Sequence, residues 1–393
     1  MADPAPPSRP VYLDNQATTP CDPRVLTLML PWFSEDYGNP HSEHAMGRRA
    51  EEAIERARAQ VAALIGADAK EIVFTSGATE STNIAIKGAA RHAARMGDPR
   101  RRIVTVATEH KCTLACVEDL AEEGFEPMLL PVGPDGLVDP NALRKALAVP
   151  TLLVSIMTVN NEIGVVQDIP ALASISKRAG ALFHTDAAQA AGKVPLDVGS
   201  WDIDLLSLSG HKLYGPKGVG ALFVRRRPRI RLAPLFSGGG QERGLRSGTL
   251  PAPLVVGLGA ACAFAQTERE AEAIRISALK DRLLAALRSQ IPGLQVNGSL
   301  RARIPGNLHV TFPGATASEL MARLPDLCVS SGSACASAEL EPSHVLVALG
   351  LSKEQAGRSL RIGIGRFTSP ADIDYAAAAL GAAHAALAVP ADA

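Results

Sequence analysis

Between residues 20 and 225 the chain alternates short apolar runs with stretches whose apolar positions recur every three or four residues. The runs at 71–75 (EIVFT), 103–107 (IVTVA), 152–157 (LLVSIM), 181–185 (ALFHT) and 205–208 predict short buried strands. Segments 47–65 and 169–178 carry helical spacing and predict helices between them. Near-continuous apolar strands separated by helices predict a mostly parallel sheet covered on both faces. After Gly240 the texture changes. A helical stretch over 250–290 and the turn signal IPGLQVNGS lead to a strand-like LHVTF at 308–312. A small-residue loop at 330–338, LRIGIGRF at 360–367 and an alanine-rich tail after Tyr375, read as a last helix, complete the pattern. The expectation is an α/β chain with a large domain over 16–260. A smaller α+β domain then combines 1–15 with 261–393.

Composition narrows the class. The 393 residues suggest two or three domains at about 150 residues each. With 47% hydrophobic and 20% charged residues, the chain has ample core material and is not a disordered sequence. Lys+Arg and Asp+Glu both number 40, so there is no general basic field, and no direct nucleic-acid binding is expected. The first ten residues, MADPAPPSRP, do not read as a secretory signal. The longest apolar stretch, 254–265, falls short of the ~20 residues that span a bilayer. No membrane partner and a cytoplasmic location are the expectation. Six cysteines without a CxxC pair exclude a disulfide scaffold and give no zinc signature, so no metal is expected.

In sheets of this kind ligands sit at the carboxyl ends of the strands. The first such end carries Ser76-Gly77-Ala78-Thr79-Glu80, a tight turn into a helix amino terminus. Outward N–H groups and the helix dipole suit an anion there, though the same pattern also opens an ordinary helix. The run ALFHT ends in Asp186-Ala187-Ala188-Gln189. Asp186 is either a helix cap or a counter-charge for a protonated ring nitrogen, with Gln189 beside it as donor. The run at 205–208 ends in Ser209-Gly210-His211-Lys212. A lysine placed there is desolvated, which lowers its pKa and frees the amine to form a Schiff base. Lys217, between Pro216 and Gly218, reads as a turn residue in solvent.

An anion cradle, an acid with an amide, and a nucleophilic lysine at three strand ends fit pyridoxal phosphate. His110, in ATEHKCT, either stacks on such a ring and shuttles protons or is a hydrogen-bonded core residue. Asn161, in VNNEIG, faces the ring's phenolic oxygen or the substrate. Cys335, within SSGSACAS, reads as the exposed reactive thiol, and Cys112, Cys116, Cys262 and Cys328 read as packing residues.

These residues resemble the NifS/IscS-like cysteine desulfurases of the class V aminotransferase group. The resemblance runs from YLDNQATTP (12–20) to LRIGIGRFT (360–368) through TSGATEST, TEHK, VNNEIGVVQD, HTDAAQ, SGHKLYGPKG, GGGQERGLRSGT and SSGSAC. It implies the fold type I architecture of pyridoxal-phosphate enzymes and a homodimer. Lys212 would carry the cofactor and move protons at the substrate Cα, with His110 stacking on the ring and assisting. Asp186 would hold the ring nitrogen and Gln189 the phenolic oxygen. Ala78, Thr79, Ser209 and His211 would bind the phosphate, joined by Thr249 from the second copy. Asn161 and Arg361 would grip the carboxylate of L-cysteine. Cys335 would take the sulfur as a persulfide, releasing alanine, and would pass it toward iron–sulfur clusters or thiolated tRNA.

Two departures stand out. Ala336 occupies a position where the family suggests threonine. The chain also ends soon after about residue 385, so a long scaffold-holding tail is expected to be absent. The segment Arg225-Arg226-Arg227-Pro228-Arg229-Ile230-Arg231 is either a solvated edge or a dock for the iron–sulfur scaffold protein and other acidic acceptors. A transaminase or a selenocysteine lyase on the same scaffold is the alternative enzyme. A non-catalytic sulfur-transfer scaffold is the alternative from another class.

Overall fold

A computed structural model describes residues 9–332 and 342–388 of the chain. Cys335, Ala336 and the rest of 333–341 therefore lie outside the described residues.

Twelve strands are described: β1 (Val11–Tyr12), β2 (Ile72–Thr75), β3 (Arg102–Val106), β4 (Glu126–Leu130), β5 (Thr151–Ser155), β6 (Leu182–Asp186), β7 (Leu205–Ser209), β8 (Gly220–Val224), β9 (Gln295–Val296), β10 (Asn307–Thr311), β11 (Leu327–Cys328) and β12 (Ser359–Gly363). The main sheet has the order β2-β8-β7-β6-β5-β3-β4. All its neighbouring pairs are parallel except the two made by β8. The exception has a simple cause. A chain leaving β7 through the turn at Lys217 and Gly218 has no crossover helix and must return antiparallel. The carboxyl ends of β2, β3, β5, β6 and β7 consequently share one edge of the sheet.

β2, β5 and β7 are buried at every position, which matches their mainly apolar runs; Ser207, the polar break within β7, is met by His184. The runs read from the sequence include neither β8 (GALFV), although it is buried throughout, nor β4. β4 is an edge strand with several exposed positions, so burial never selected a continuous run. Beneath the site, the buried His184 joins three strands, Nδ1 to Ser155 Oγ at 2.8 Å and Nε2 to Ser207 Oγ at 2.9 Å. Burial pushes its pKa down to about 3, so the ring is neutral and both contacts are satisfied without charge.

A second sheet, β12-β10-β9, is antiparallel, and β1 pairs in parallel with β11. The helix Ala252–Gln290 serves two cores. Val255, Leu258 and Ala261 pack into the core beside the main sheet, and Ile276, Leu279, Leu283 and Leu287 pack into the core beside the second. The apolar run expected over 360–367 ends as a strand at Gly363, because Thr368 Oγ1 accepts from Gly365 N at 3.0 Å and turns the chain. The alanine-rich tail forms the helix Pro370–Ala388.

Candidate active site

The strand ends frame a cleft of about 450 Å³. At its first end, β2 runs into Gly77, and the helix Ala78–Arg95 begins with no side chain capping its amino terminus. The first-turn N–H groups are left for another acceptor, and Ala78 and Thr79 line the cleft. β8 passes directly beneath this turn: a Cβ on Gly220 would lie 2.7 Å from Gly77 Cα. The Glu80 carboxylate accepts from Ser76 N at 2.6 Å and pairs with Arg246 at 3.0 Å. Those contacts hold its pKa low against burial.

Ser209 and His211 stand beside that helix end and line the cleft. His211 Nδ1 meets Thr18 Oγ1 at 3.0 Å, and burial, then Lys212, pushes its pKa down to about 4. Lys212 follows in the same short turn. Its Nζ donates to the carbonyls of Gln16 at 2.6 Å and Ala17 at 2.7 Å. Those carbonyls belong to a segment that leaves β1 and crosses the cleft mouth, with Asp14 bridging to Gly363 of β12.

Asp186 ends β6 and is buried, with Oδ1 accepting from Ala188 N at 2.8 Å. No helix follows, so Asp186 closes a turn and is not the helix cap the sequence offered; it also lines the cleft. Burial raises its pKa, and His110 and Lys212 oppose that rise. A buried acid of this kind is held for a cationic partner. His110 caps the helix Lys111–Glu122, its Nδ1 accepting from Cys112 N at 3.2 Å. That contact leaves the proton of a neutral ring on Nε2, and burial lowers the pKa so that the neutral form prevails. Gln189 Nε2 donates to Gln16 O at 2.8 Å.

Asn161 is aimed by its neighbour. Asn160 Oδ1 accepts from Glu162 N and Ile163 N, both at 2.9 Å, and its Nδ2 donates to Thr108 O, which folds VNNEIG into a compact bend. Asn161 Oδ1 is buried without a partner among the described residues. Arg361, on β12, is 1% exposed. Its Nη1 donates to Asn161 O at 3.0 Å and its Nη2 to Asp14 Oδ1 at 2.7 Å, while Nε has no partner among the described residues. A buried guanidinium with a free N–H at the wall of a cleft suits a small carboxylate.

The cleft thus gathers Ala78, Thr79, His110, Asn161, Asp186, Gln189, Ser209, His211, Lys212 and Arg361. Thr249 is not among its lining residues. It is exposed, near the end of a loop held by Gly248 N to Gln241 Oε1 at 2.8 Å and by the Arg246–Glu80 pair. The packing role given to Cys112 needs correction, because Cys112 lines the cleft while Cys116, one turn on, is buried. Burial raises the Cys112 pKa, so it stays a thiol. The arginine-rich segment also divides. Arg225 is tied down by Ile203 O and Val198 O, both at 2.7 Å, whereas Arg226, Arg227, Arg229 and Arg231 are exposed.

Three residues escaped the sequence reading. Glu109 is buried, its Oε1 accepting from Met157 N, and burial with Asp186 nearby pushes its pKa up to about 8. Glu109 belonged to the quoted TEHK motif, so the signal was present. Glu162 lies in VNNEIG and accepts from Ser343 Oγ, a contact across 181 residues that no local pattern reveals. Lys193 donates to Gln189 Oε1 at 3.0 Å, four residues beyond it in the chain.

The residues present fit pyridoxal phosphate on three counts: an uncapped helix amino terminus for an anion, a buried acid for a ring cation, and a lysine amine at the cleft wall. Sheet order and cleft define an α/β enzyme of fold type I. The aminotransferase class-V model matches residues 11–376, and the chain belongs to that family, whose members depend on pyridoxal phosphate. The chain is 55% identical over 369 residues to a mitochondrial cysteine desulfurase of Arthroderma benhamiae, covering 94% of this chain and 73% of that one. It is 52% identical over 368 residues to the cysteine desulfurase IscS of Rickettsia bellii, covering 93% and 89%. Among solved structures, SspA in complex with cysteine superposes with a TM-score of 0.80 at 38% identity, covering 91% and 99%. The resemblance seen in the motifs is borne out.

Proposed function

We propose that the chain is a pyridoxal-phosphate-dependent cysteine desulfurase, converting L-cysteine to L-alanine and handing on the sulfur. The observation that carries the reading is the meeting of Lys212, Asp186, the uncapped helix end and the unpartnered Arg361 Nε in one cleft. The strong similarity to named desulfurases supports the substrate.

Ala78 and Thr79 N–H groups, with Ser209 and His211, bind the cofactor phosphate; Asp186 holds the ring nitrogen, Gln189 the phenolic oxygen, and His110 stacks on the ring. The cofactor, when bound, supplies an electron sink that acidifies the substrate Cα and weakens its C–S bond. Lys212 Nζ takes and returns the proton at Cα, with the neutral His110 beside it. Arg361 and Asn161 orient the substrate carboxylate. Cys335, as thiolate, attacks the substrate sulfur: an S–S bond forms, the Cβ–S bond breaks, and the carbon fragment gains protons to leave as alanine.

The large unit 16–260 carries the cofactor, and the small unit, 1–15 with 261–393, carries Cys335. The chain works as a homodimer in the cytoplasm, with Thr249 of the partner subunit completing the phosphate site. The exposed arginines within 225–231 receive the iron–sulfur scaffold protein or other acidic acceptors. Among the described residues no helix is long and apolar enough to cross a membrane. Borohydride reduction of the cofactor-loaded protein followed by peptide mapping tests the assignment. The label is expected on Lys212; a label on Lys193 or Lys217 would overturn it.

A further inference from the structure

Lys193 takes no part in the chemistry above, yet it is wired into the site. Its Nζ donates to Gln189 Oε1 at 3.0 Å, and Gln189 Nε2 donates to the Gln16 carbonyl at 2.8 Å. The same carbonyl accepts from Lys212 Nζ at 2.6 Å. One backbone oxygen is therefore shared by the amide of Gln189 and the amine of Lys212. Lys193 is only partly buried. With Lys212, Gln16, Glu272 and Arg366 it lines a smaller cavity of about 40 Å³, whereas Gln189 lines the main cleft.

An ammonium has three donors and no acceptor. A glutamine amide is free to present either its oxygen or its NH₂, and its neighbours decide which. With Lys193 donating to Oε1, the NH₂ must point the other way, to Gln16 O. Without Lys193 the oxygen is left unpaired and the amide can turn over, which places Oε1 against the Gln16 carbonyl and breaks the shared contact.

We propose that Lys193 is a positioning residue that fixes the amide of Gln189 as a donor, toward the Gln16 carbonyl in the free protein and toward the phenolic oxygen of the cofactor once Lys212 carries it. Burial, with Lys212 and Arg361 nearby, pushes the Lys193 pKa down to about 7, so the ammonium that can only donate to Gln189 Oε1 prevails below that pH. The inference rests on the assignment of Lys212 as the cofactor-bearing residue.

The test is a double-mutant cycle read by the pH midpoint of the visible absorbance band of cofactor-loaded protein, with the melting temperature of the cofactor-free protein reporting folding. Lys193→Met is expected to move the midpoint by about half a pH unit or more, the size of one lost hydrogen bond. In a Gln189→Met background the same substitution is expected to move it by nothing measurable. An equal shift in both backgrounds, or none in the wild-type background, would overturn the proposal while leaving the band intact. A wild-type protein with no visible band would instead overturn the assignment of Lys212. Lys193→Arg, which retains a cationic donor, is expected to restore much of the wild-type midpoint; failure to do so while the melting temperature is kept counts against the proposal.

Discussion

Arg361 shows what one buried residue costs and supplies. A guanidinium at 1% exposure is tolerable only when its donors are met, and Asp14 Oδ1 and Asn161 O meet two of them. Nε is buried with no partner among the described residues, and Arg361 lines the cleft. Asp14 therefore holds the fork in place, and the carboxylate role proposed for Arg361 needs its unmet donors. Arg361→Lys keeps a charge but loses the planar fork. Its KM for L-cysteine should rise about tenfold or more, with a smaller change in kcat, and a KM within twofold of wild type in steady-state assays would contradict the carboxylate role. The sequence offered Arg361 only through the family resemblance, because an arginine inside an apolar strand carries no local signal of its partner. Asp14 lies 347 residues away along the chain.

At the level of elements, what could be read from the sequence was whatever local burial had imprinted. β2, β5 and β7 are buried on both faces and appear as mainly apolar runs. The helix Ile169–Arg178 has its cap in Asp168 and its basic last turn, and its limits are legible to the residue. β4 was invisible because an edge strand needs no continuous apolar run. Likewise, the strand ends pointed to Lys212, Asp186 and the Ser76–Glu80 turn, because strand ends carry the chemistry in such sheets. Glu162, Lys193 and Asp14 act through contacts made by the folded chain, so no spacing rule finds them. The crossing of β8 beneath Gly77 makes an element-scale prediction. In Gly220→Ala the new methyl would meet Leu208 O at 2.5 Å and Gly77 Cα at 2.7 Å, both backbone atoms. The turn must shift. Cofactor affinity, measured by equilibrium titration of the cofactor-free protein, should fall about tenfold or more, and an unchanged affinity would contradict the placement of the phosphate at this turn.

Across the whole molecule, two cores are tied by the long helix Ala252–Gln290 and by an ion network at its middle. Arg366 reaches Asp22 at 2.8 Å and Glu272 on the long helix, and Asp22 also holds Arg24 at 2.8 Å. Asp22 has a side chain only 2% exposed, and the Arg24 contact, with help from Arg366, holds its carboxyl well below the usual range. A carboxyl depressed on folding stabilises above its unfolded pKa near 4, and that stability is lost as pH falls through the folded value. Asp22→Asn should therefore cost about 3 kcal/mol by denaturant unfolding at pH 7, and the gap to wild type should shrink as pH falls below about 4. A gap independent of pH would show that charge is not what Asp22 contributes.

In the proposed reaction the thiol of Cys335 takes the sulfur of L-cysteine. The most direct measurement is the yield of alanine and sulfide from L-cysteine with a thiol reductant, for the cofactor-loaded wild type beside Cys335→Ala. Equimolar alanine and sulfide from wild type, with both products absent from the variant and the visible absorbance of its cofactor retained, is the predicted result. Alanine or a keto acid formed at the same rate by both proteins would contradict it, and would leave Cys335 with no part in the reaction.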